Sequence, residues 1–595
     1  MPDPHIEQSI HIGDTTCLLC RQRSETGDSI LDISFNKLTV PTRGLSCSVC
    51  SKSPNPEIWL HSDCYCILRS RYEDDEKPKA EELKSLAEAI KSRYPRDTRN
   101  GDMPAVREGL HSIYARPILH DTFKQDLLMR FPMEITSMIT EFIGPLWYLI
   151  VLGETRRLLQ TLRRNINLPQ SNRISLTEPL HCLYVNYQGQ AYVSRICKTA
   201  VKDSHPLLQE GFKAAPATRK IVLSVDDIGV RRMQFLDQTT KATTDGSPWY
   251  QTIDVPESVS DIDVGYNSLF VCDLSVPRDR ALTRDMIWSS PNPPQVQPWN
   301  IYSVQKNYRL TYLETGDEVQ GLFVCCTNSG IKEIYAAPRA VGDLQSFIKP
   351  IIHHTSNSDA HWVYFPINVG ETIDNAWVRK TRGMTGAAAQ PFLTIRTSFG
   401  RLVTFGPQPP ANMRILYECR SLRRAGDGAI LGFIHDGLDY GNPSILTFGV
   451  TCDPAVPVKD PQPEPPFPLY KPPPIPYRRG SPANTWFFSK ARLESLHSVQ
   501  ACHDRQKAHR PLIGLLLHYD DGHVESVGQF RWDQEITPDI LAPVHIQYGF
   551  TKEGRYLKTI ETREQEKSDW YKVPLSGTLV WWFGHLGEEI ATYAD

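Results

Sequence analysis

Six cysteine and histidine side chains near the N-terminus have the spacing of metal ligands. Two pairs of cysteines are each separated by two residues, and a histidine precedes a further cysteine by the same interval. A Cys-x2-Cys pair can bend around one ion, and two such pairs complete the tetrahedral site that Zn²⁺ prefers. The candidate ligands are Cys17, Cys20, Cys47, Cys50, His61 and Cys64. This spacing predicts a single zinc ion bound within residues 1–70.

The sequence leaves open which pair closes the site that Cys17 and Cys20 begin. The segment from Trp59 to Cys64 resembles the tryptophan, histidine and cysteine signature of treble-clef and PHD-like fingers. That resemblance implies a small module that docks other proteins. A RING-type ligase would need eight ligands, and this segment has too few. Because apolar periodicity is sparse here, we expect the metal to hold the segment together.

Composition indicates which classes of partner the protein could bind and which cellular compartment it occupies. The chain has 595 residues, too many for one core, and a formal net charge of −3 without a long basic block. We therefore do not expect it to bind nucleic acid. No apolar run reaches the roughly 18 residues of a membrane span, and no secretory signal is evident. The remaining cysteines are scattered through apolar segments, which favours a reducing compartment, the cytoplasm or nucleus.

The usual catalytic signatures are missing from the sequence. There is no GxSxG elbow, no HExxH metal site and no GxxxxGK[ST] phosphate loop. His353, His354, His361 and Asp359 could gather on one loop, but loop polarity is the simpler interpretation. We therefore expect a protein that is not an enzyme.

Three helical patterns follow the cysteine-rich segment. Between residues 76 and 93, Leu83, Leu86 and Ile90 form a thin apolar stripe among charges, which predicts a solvated helix. Two further helices are predicted over residues 121–143 and 146–165. Beyond Leu180, short β-branched and aromatic runs separated by turn residues predict mostly antiparallel sheet.

The stretch from Phe131 to Ile143 encodes an amphipathic helix with an explicit start. A proline suits the first helical turn, a glutamate favours the positive end of the dipole, and aliphatic residues recur on one face. The pattern resembles the first helix of the F-box, which implies docking on the Skp-type adaptor of cullin-type ubiquitin ligases. The residues that would carry the docking are Pro132, Glu134, Ile135, Ile139 and Phe142. An ordinary core helix is the alternative interpretation.

Three apolar runs each contain a glycine and are followed by a turn and a second run. Gly321, Gly432 and Gly514 are these glycines, and a glycine inside a strand marks a bulge or a close backbone approach. We therefore predict repeated hairpins in this region. The residues between 453 and 483 contain too many prolines for a strand and are predicted to form an extended connector.

Residues 360–452 resemble the jacalin-type β-prism lectins. Residues 392–397 with 401–407 look like the central hairpin of that family, and residues 429–433 with 445–450 look like its closing pair. The resemblance implies a sugar loop at 435–441, but its spacing departs from the family. Carbohydrate binding is therefore possible but not favoured, and a prism-like scaffold without a glycan is the simpler expectation.

The sequence as a whole predicts a multidomain α+β protein. It combines a small N-terminal zinc-binding module, a short helical F-box-like segment and a large, mainly antiparallel β C-terminal region that is prism-like or built of repeated hairpins. The predicted domains are a zinc module at 1–70, a charged helix and linker at 71–118, F-box-like helices at 119–170, a β-rich domain at 180–452 that is prism-like over about 360–452, a proline-rich connector at 453–483 and a β segment at 484–595 that packs with the β-rich domain.

This layout is similar to that of fungal F-box-like proteins. It implies a non-enzymatic interaction adaptor, in which the helices hold a Skp-type adaptor of a cullin-type ubiquitin ligase and the β region selects an unknown protein target. The alternative is a lectin-like protein that binds a carbohydrate or small ligand and uses its helices only as structure.

Overall fold

The computed structural model describes most of the chain. The described residues are 16–22, 24, 27–33, 36–39, 58–70, 72, 76–91, 144–166, 172–208, 220–237, 240–276, 286–294, 299–303, 309–340, 344–354, 360–384, 386–409, 415–437, 444–466, 470, 486–550, 555–562, 570–584 and 587–594. The chain divides into two compact units, an N-terminal unit (Met1–Ile287) and a C-terminal unit (Trp288–Asp595). Strands dominate both units, which confirms the predicted large β-rich region.

In its described residues, the N-terminal unit combines three helices with small groups of antiparallel strands. The helices are α1 (Ser62–Arg69), α2 (Ala80–Ala89) and α3 (Gly144–Ile166). The strands are β1 (Ser29–Asp32), β2 (Lys37–Thr39), β3 (Trp59–His61), β4 (Arg173–Ser175), β5 (Leu180–Tyr187), β6 (Gln190–Cys197), β7 (His205–Leu208), β8 (Lys220–Val225), β9 (Val230–Leu236), β10 (Trp249–Asp254), β11 (Asp261–Tyr266) and β12 (Val271–Ser275), and β13 (Ile287–Trp288) lies at the unit boundary.

Two apolar cores hold the N-terminal unit together. One core lies among strands β4 to β12 and contains residues such as Ile221 and Ile262. The other is shared by the cysteine-rich segment, α2, α3, the β5–β6 hairpin and the β11–β12 turn, where Leu19, Leu159 and Phe270 belong to one cluster. The cysteine-rich segment therefore packs on the rest of its unit.

Helix α2 corrects one prediction. Leu83, Leu86 and Ala89 are fully buried, so the helix is not the solvated element that its many charges suggested. Its apolar stripe packs in the same cluster as α3, and Glu82 forms an ion pair with Arg163 of α3 across 2.7 Å. The helix predicted over residues 146–165 is confirmed by α3. The helix predicted over residues 121–143 lies outside the described residues.

The C-terminal unit is built almost entirely of antiparallel strands. It contains the helix α4 (Leu344–His354) and a short 3-10 helix (Gly386–Ala389). Its strands are β14 (Trp299–Ser303), β15 (Arg309–Glu314), β16 (Val319–Thr327), β17 (Gly330–Pro338), β18 (His361–Pro366), β19 (Ile373–Thr381), β20 (Phe392–Thr397), β21 (Leu402–Phe405), β22 (Tyr417–Ser421), β23 (Ala429–His435), β24 (Thr447–Asp453), β25 (Phe487–Arg492), β26 (Leu496–His503), β27 (Leu512–Tyr519), β28 (Val524–Gly528), β29 (Glu535–Ile536), β30 (Ile540–Leu541), β31 (His545–Phe550), β32 (Arg555–Glu561), β33 (Trp570–Lys572), β34 (Thr578–Gly584) and β35 (Gly587–Tyr593).

One large apolar core joins these strands. It includes residues before and after the proline-rich stretch, for example Phe433 and Phe583, so the described strands that follow this stretch pack with those that precede it. Trp581 and Trp582, adjacent in β34, are both buried, Trp581 in this core and Trp582 in a second cluster with Trp486. His361 is also buried and packs on Phe487, so it belongs to the core.

The three predicted glycine hairpins are confirmed. Strands β16 and β17, β23 and β24, and β27 and β28 are antiparallel pairs. The register shifts next to Gly321 and Gly432, and each glycine leaves room for an aromatic ring, Tyr364 over Gly321 and Tyr312 over Gly432. The glycines therefore mark bulges and close approaches, as their positions predict.

The strand pairs on which the β-prism resemblance rests are present. Strand β20 pairs with β21, and β23 pairs with β24. Both belong to a sheet in which β19 also pairs with β22 and, at one residue, with β23. Pairing of this kind occurs in many β folds, and the prism itself stays a prediction.

Substitution of Gly514 tests whether the close approach of two backbone segments excludes larger side chains from this position in the C-terminal core. A Cβ atom there would lie 2.7 Å from main-chain atoms of Gln529 and Phe530, which cannot rotate away as a side chain could. We expect Gly514→Ala to lower the free energy of unfolding by about 1–3 kcal/mol, measured by urea titration with tryptophan fluorescence. Gly316→Ala is the control, because its Cβ would meet no atom within 4 Å. Equal effects of the two substitutions would contradict this packing argument.

Candidate metal centre

Four of the predicted ligands come together in the N-terminal unit. One ligand atom from each of Cys17, Cys20, His61 and Cys64 lies within 4.8 Å of the other three. The three cysteines are buried and the histidine is half-buried. Three sulfur atoms and one imidazole nitrogen at this separation could bind a metal ion.

Two short structural elements bring these side chains together. Cys17 and Cys20 lie in a tight turn, closed by hydrogen bonds from the Arg21 amide to the Cys17 carbonyl and from the Cys17 amide to the Gln22 carbonyl. We call residues 17–22 the knuckle. Its Leu18 amide donates to the carbonyl of Trp59 in β3 across 3.0 Å. The knuckle is therefore fixed against the strand that leads to the other two ligands.

The second pair of ligands comes from the junction of β3 and α1. His61 is the N-cap of α1, and Cys64 lies in its first turn. Residues three apart in a helix project to the same side, so the histidine and cysteine face the knuckle together. Cys66, in the same helix, is exposed and is not part of the cluster.

The imidazole of His61 is oriented from both sides. Its Nδ1 lies 3.2 Å from Sγ of Cys20 and 3.9 Å from Sγ of Cys64. Its Nε2 lies 3.4 Å from a carboxylate oxygen of Asp28. A carboxylate behind a ligating imidazole fixes the ring and raises its basicity, an arrangement common around protein-bound metals. Asp28 thus leaves Nδ1 as the atom available to an ion.

The hydrogen bonds within the cluster lower the pKa of one thiol, Cys17, and raise the pKa of another, Cys64. Although burial alone would raise the pKa of the Cys17 thiol, hydrogen bonds from Cys20, Cys64 and His61 lower it. Hydrogen bonding with Cys17 and Cys20 in turn raises the pKa of His61 to about 10. The backbone amide of His61 also donates to Sγ of Cys17 across 3.2 Å. The cluster therefore stabilises a thiolate, the form of cysteine that binds metals.

A buried ion pair connects the knuckle to α3. Arg21 follows the last knuckle cysteine with a φ of 59°, and its Nη2 donates to Oε2 of Glu154 across 2.5 Å. The side chains are 10% and 4% exposed, respectively. The other oxygen of Glu154 accepts the amide of Gln188, in the turn between β5 and β6, at 2.6 Å. Burial would lower the pKa of Arg21, but the Glu154 carboxylate raises it.

The sequence identified part of this site. The ligand set Cys17, Cys20, His61 and Cys64 is one of the two alternatives that its spacing left open. Cys47 and Cys50 lie outside the described residues, and so do Pro132, Glu134, Ile135, Ile139 and Phe142. Asp28, Arg21 and Glu154 were missed. Asp28 comes directly before β1, which pairs with β3, the strand that ends at His61. This position was the one local signal for Asp28.

The loop that corresponds to a sugar site in the prism resemblance is described over residues 435–437. Asp436 is buried and accepts the backbone amides of Leu446 and Thr447. Burial lowers the pKa of His435 to about 4, so its imidazole is neutral near pH 7. The described part of the loop thus uses its carboxylate to organise its own backbone.

In comparisons with known proteins, no model of a protein family matches the chain, and no curated protein matches it significantly. Among the helices in the described ranges, none has both the length and the hydropathy needed to cross a bilayer.

Removal of the Glu154 carboxylate tests the coupling of the knuckle to α3. Glu154→Ala leaves the Arg21 guanidinium buried without its counter-ion, so we expect a loss of about 3–5 kcal/mol in the unfolding free energy of the N-terminal unit. Hydrogen exchange of peptides from the knuckle and α3 measures this loss. Glu178→Ala is the control, because Glu178 and its partner Lys198 are exposed. Equal protection in the two variants would show that the buried pair contributes nothing.

Proposed function

We propose that the chain is a non-enzymatic protein-interaction adaptor whose N-terminal module is stabilised by one structural zinc ion. The observation that carries this proposal is the convergence of Cys17, Cys20, His61 and Cys64 on one point. The knuckle, the β1–β2 hairpin, β3 and the short helix α1 follow one another around the ligands, which supports the resemblance to treble-clef fingers.

The donor set favours zinc. Thiolate sulfur and imidazole nitrogen are the ligands of structural zinc sites, whereas Ca²⁺ and Mg²⁺ take oxygen ligands. Four protein ligands saturate a tetrahedral ion and leave no position for a substrate. A site of this kind stabilises a fold and supplies no chemistry, which supports a docking role over a catalytic one.

The proposed docking element is the F-box-like stretch at residues 131–143. It ends directly before Gly144, the first residue of α3. Because the packing of α3 depends on Leu158, Leu159 and Leu162 in the core shared with the zinc module, an ordered module would fix where this stretch ends. The proposed partners are a Skp-type adaptor and a protein target selected by the β-rich region.

Metal content tests the zinc site directly. We expect mass spectrometry of the purified full-length protein to find about one equivalent of zinc, and Cys64→Ser to remove most of it because three ligands bind the ion less tightly. Cys66→Ser, in the same helix, is the matched control and should keep the metal. Cys47→Ser should keep it as well. If zinc is lost in Cys47→Ser but retained in Cys64→Ser, the other cysteine pair closes the site and this assignment is wrong.

A paired substitution tests the adaptor role. Each large apolar side chain buried in an interface contributes about 1.5–3 kcal/mol, so we expect Ile135→Asp with Ile139→Asp to weaken binding of a purified Skp-type adaptor by at least about a hundredfold. Thr136→Asp adds a charge beside the apolar stripe and serves as the control. Unchanged binding in the double variant, or specific signals on a glycan array, would favour a plain scaffold or the lectin alternative.

A further inference from the structure

A proline-rich segment lies against the main sheet of the C-terminal unit. We call residues 454–466 the strap; it follows β24 and forms no strand. Its prolines are Pro454, Pro457, Pro461, Pro463, Pro465 and Pro466. A turn begins the strap, because the amide of Val456 donates to the carbonyl of Asp453. This segment begins the predicted extended connector.

The domain holds the strap through hydrogen bonds to the strap's backbone, and these bonds recur at regular intervals. The carbonyl oxygens of Val456, Lys459 and Gln462 each accept a hydrogen bond from the underlying domain. These acceptors are three residues apart. Because a polyproline II helix has three residues per turn, such carbonyls lie along one edge of it. The spacing supports an extended left-handed conformation from Val456 to Gln462.

The donors to the strap are built into the domain. The indole Nε1 of Trp377 donates to the Gln462 carbonyl across 2.9 Å, and the guanidinium of Arg423 donates to the Lys459 carbonyl. The backbone amide of Ala429 provides the third hydrogen bond, at 3.0 Å. Trp377 is 0% exposed and Arg423 2% exposed. These buried donors thus fix the strap's backbone without using its side chains.

Two edges of the strap are exposed to solvent: Val456, Lys459 and Gln462 lie on one, and a second carries prolines. Pro457, Asp460, Pro463 and Pro466 are all exposed and also recur every three residues. They are out of phase with the carbonyls that accept hydrogen bonds, so in a helix with three residues per turn they lie on another edge. Pro461, on the third edge, is half-buried. The edge formed by Pro457, Asp460, Pro463 and Pro466 is therefore exposed, rich in proline and already ordered.

We propose that the strap is a pre-organised docking strand for a protein module that binds polyproline in an aromatic-lined groove. Such modules recognise extended chains because little conformational entropy remains to be lost. Here the three hydrogen bonds hold the backbone before the partner arrives, which lowers the ordering cost further. The exposed Asp460 carboxylate favours a groove with a basic side chain at its rim. The proposal rests on the C-terminal unit alone and is independent of the metal site.

The test compares the full-length chain with a synthetic peptide of residues 454–466. Both are titrated against a panel of purified SH3, WW and EVH1 modules, with binding measured by interferometry. We expect at least one module to bind the chain about tenfold more tightly than the peptide, because the chain is pre-organised. Pro457→Ala with Pro463→Ala should abolish this binding. Pro461→Ala makes the same chemical change on the edge that faces the domain, and should leave it within about twofold.

Two results would overturn the proposal. If no module binds the chain, or if modules bind the peptide more tightly than the chain, the strap only covers Trp377 and is not a docking strand. Trp377→Phe removes the indole donor and should reduce the difference in affinity between the chain and the peptide. Thermal unfolding of each variant checks that the domain is intact, and the proline substitutions decide the question even if the tryptophan variant does not fold.

Discussion

The arrangement of the knuckle, α3 and the β5–β6 turn in the N-terminal unit depends on the buried carboxylate of Glu154. It lies on α3, and its two oxygens accept hydrogen bonds from the knuckle and from the β5–β6 turn. A charge in a low-dielectric interior is stable only when it is paired and hydrogen-bonded, so these three elements must be ordered together. Arg21 adjoins Cys20, and the order of the metal cluster is therefore linked to the position of α3.

The two units are stabilised by different balances of forces. In the N-terminal unit, the cysteine-rich segment is held by the cluster of candidate ligands, a buried ion pair and an apolar core shared with α2 and α3. In the C-terminal unit, close packing dominates, and aromatic rings occupy space that strand glycines leave empty, as Tyr364 does over Gly321. We therefore expect the first unit to be more sensitive to the loss of buried charge, and the second to small changes in side-chain volume.

Local patterns predicted local structure, and contacts between distant residues were not predictable. Cysteine spacing identified the candidate ligands, but it could not distinguish His61 and Cys64 from Cys47 and Cys50, because both pairs have the spacing of a turn. Arg21 and Glu154 are 133 residues apart, and nothing in either segment indicates the other. Helix α2 was predicted to be solvated because its charges are numerous, but α3 covers its thin apolar stripe. The strap was predicted to be extended, but its contact with Trp377, 85 residues away from Gln462, has no signature in the sequence.

A common physical principle underlies both proposed recognition elements. The cysteine-rich segment and the strap are each fixed in part by polar contacts, the first through its candidate ligands and backbone and the second through its carbonyl oxygens. An element ordered in this way keeps most of its outward side chains out of the core, as the exposed prolines of the strap show. Those side chains can vary without loss of stability, because burial does not constrain them. In the strap, the structure thus separates the backbone groups that maintain the element from the side chains that would select the proposed partner.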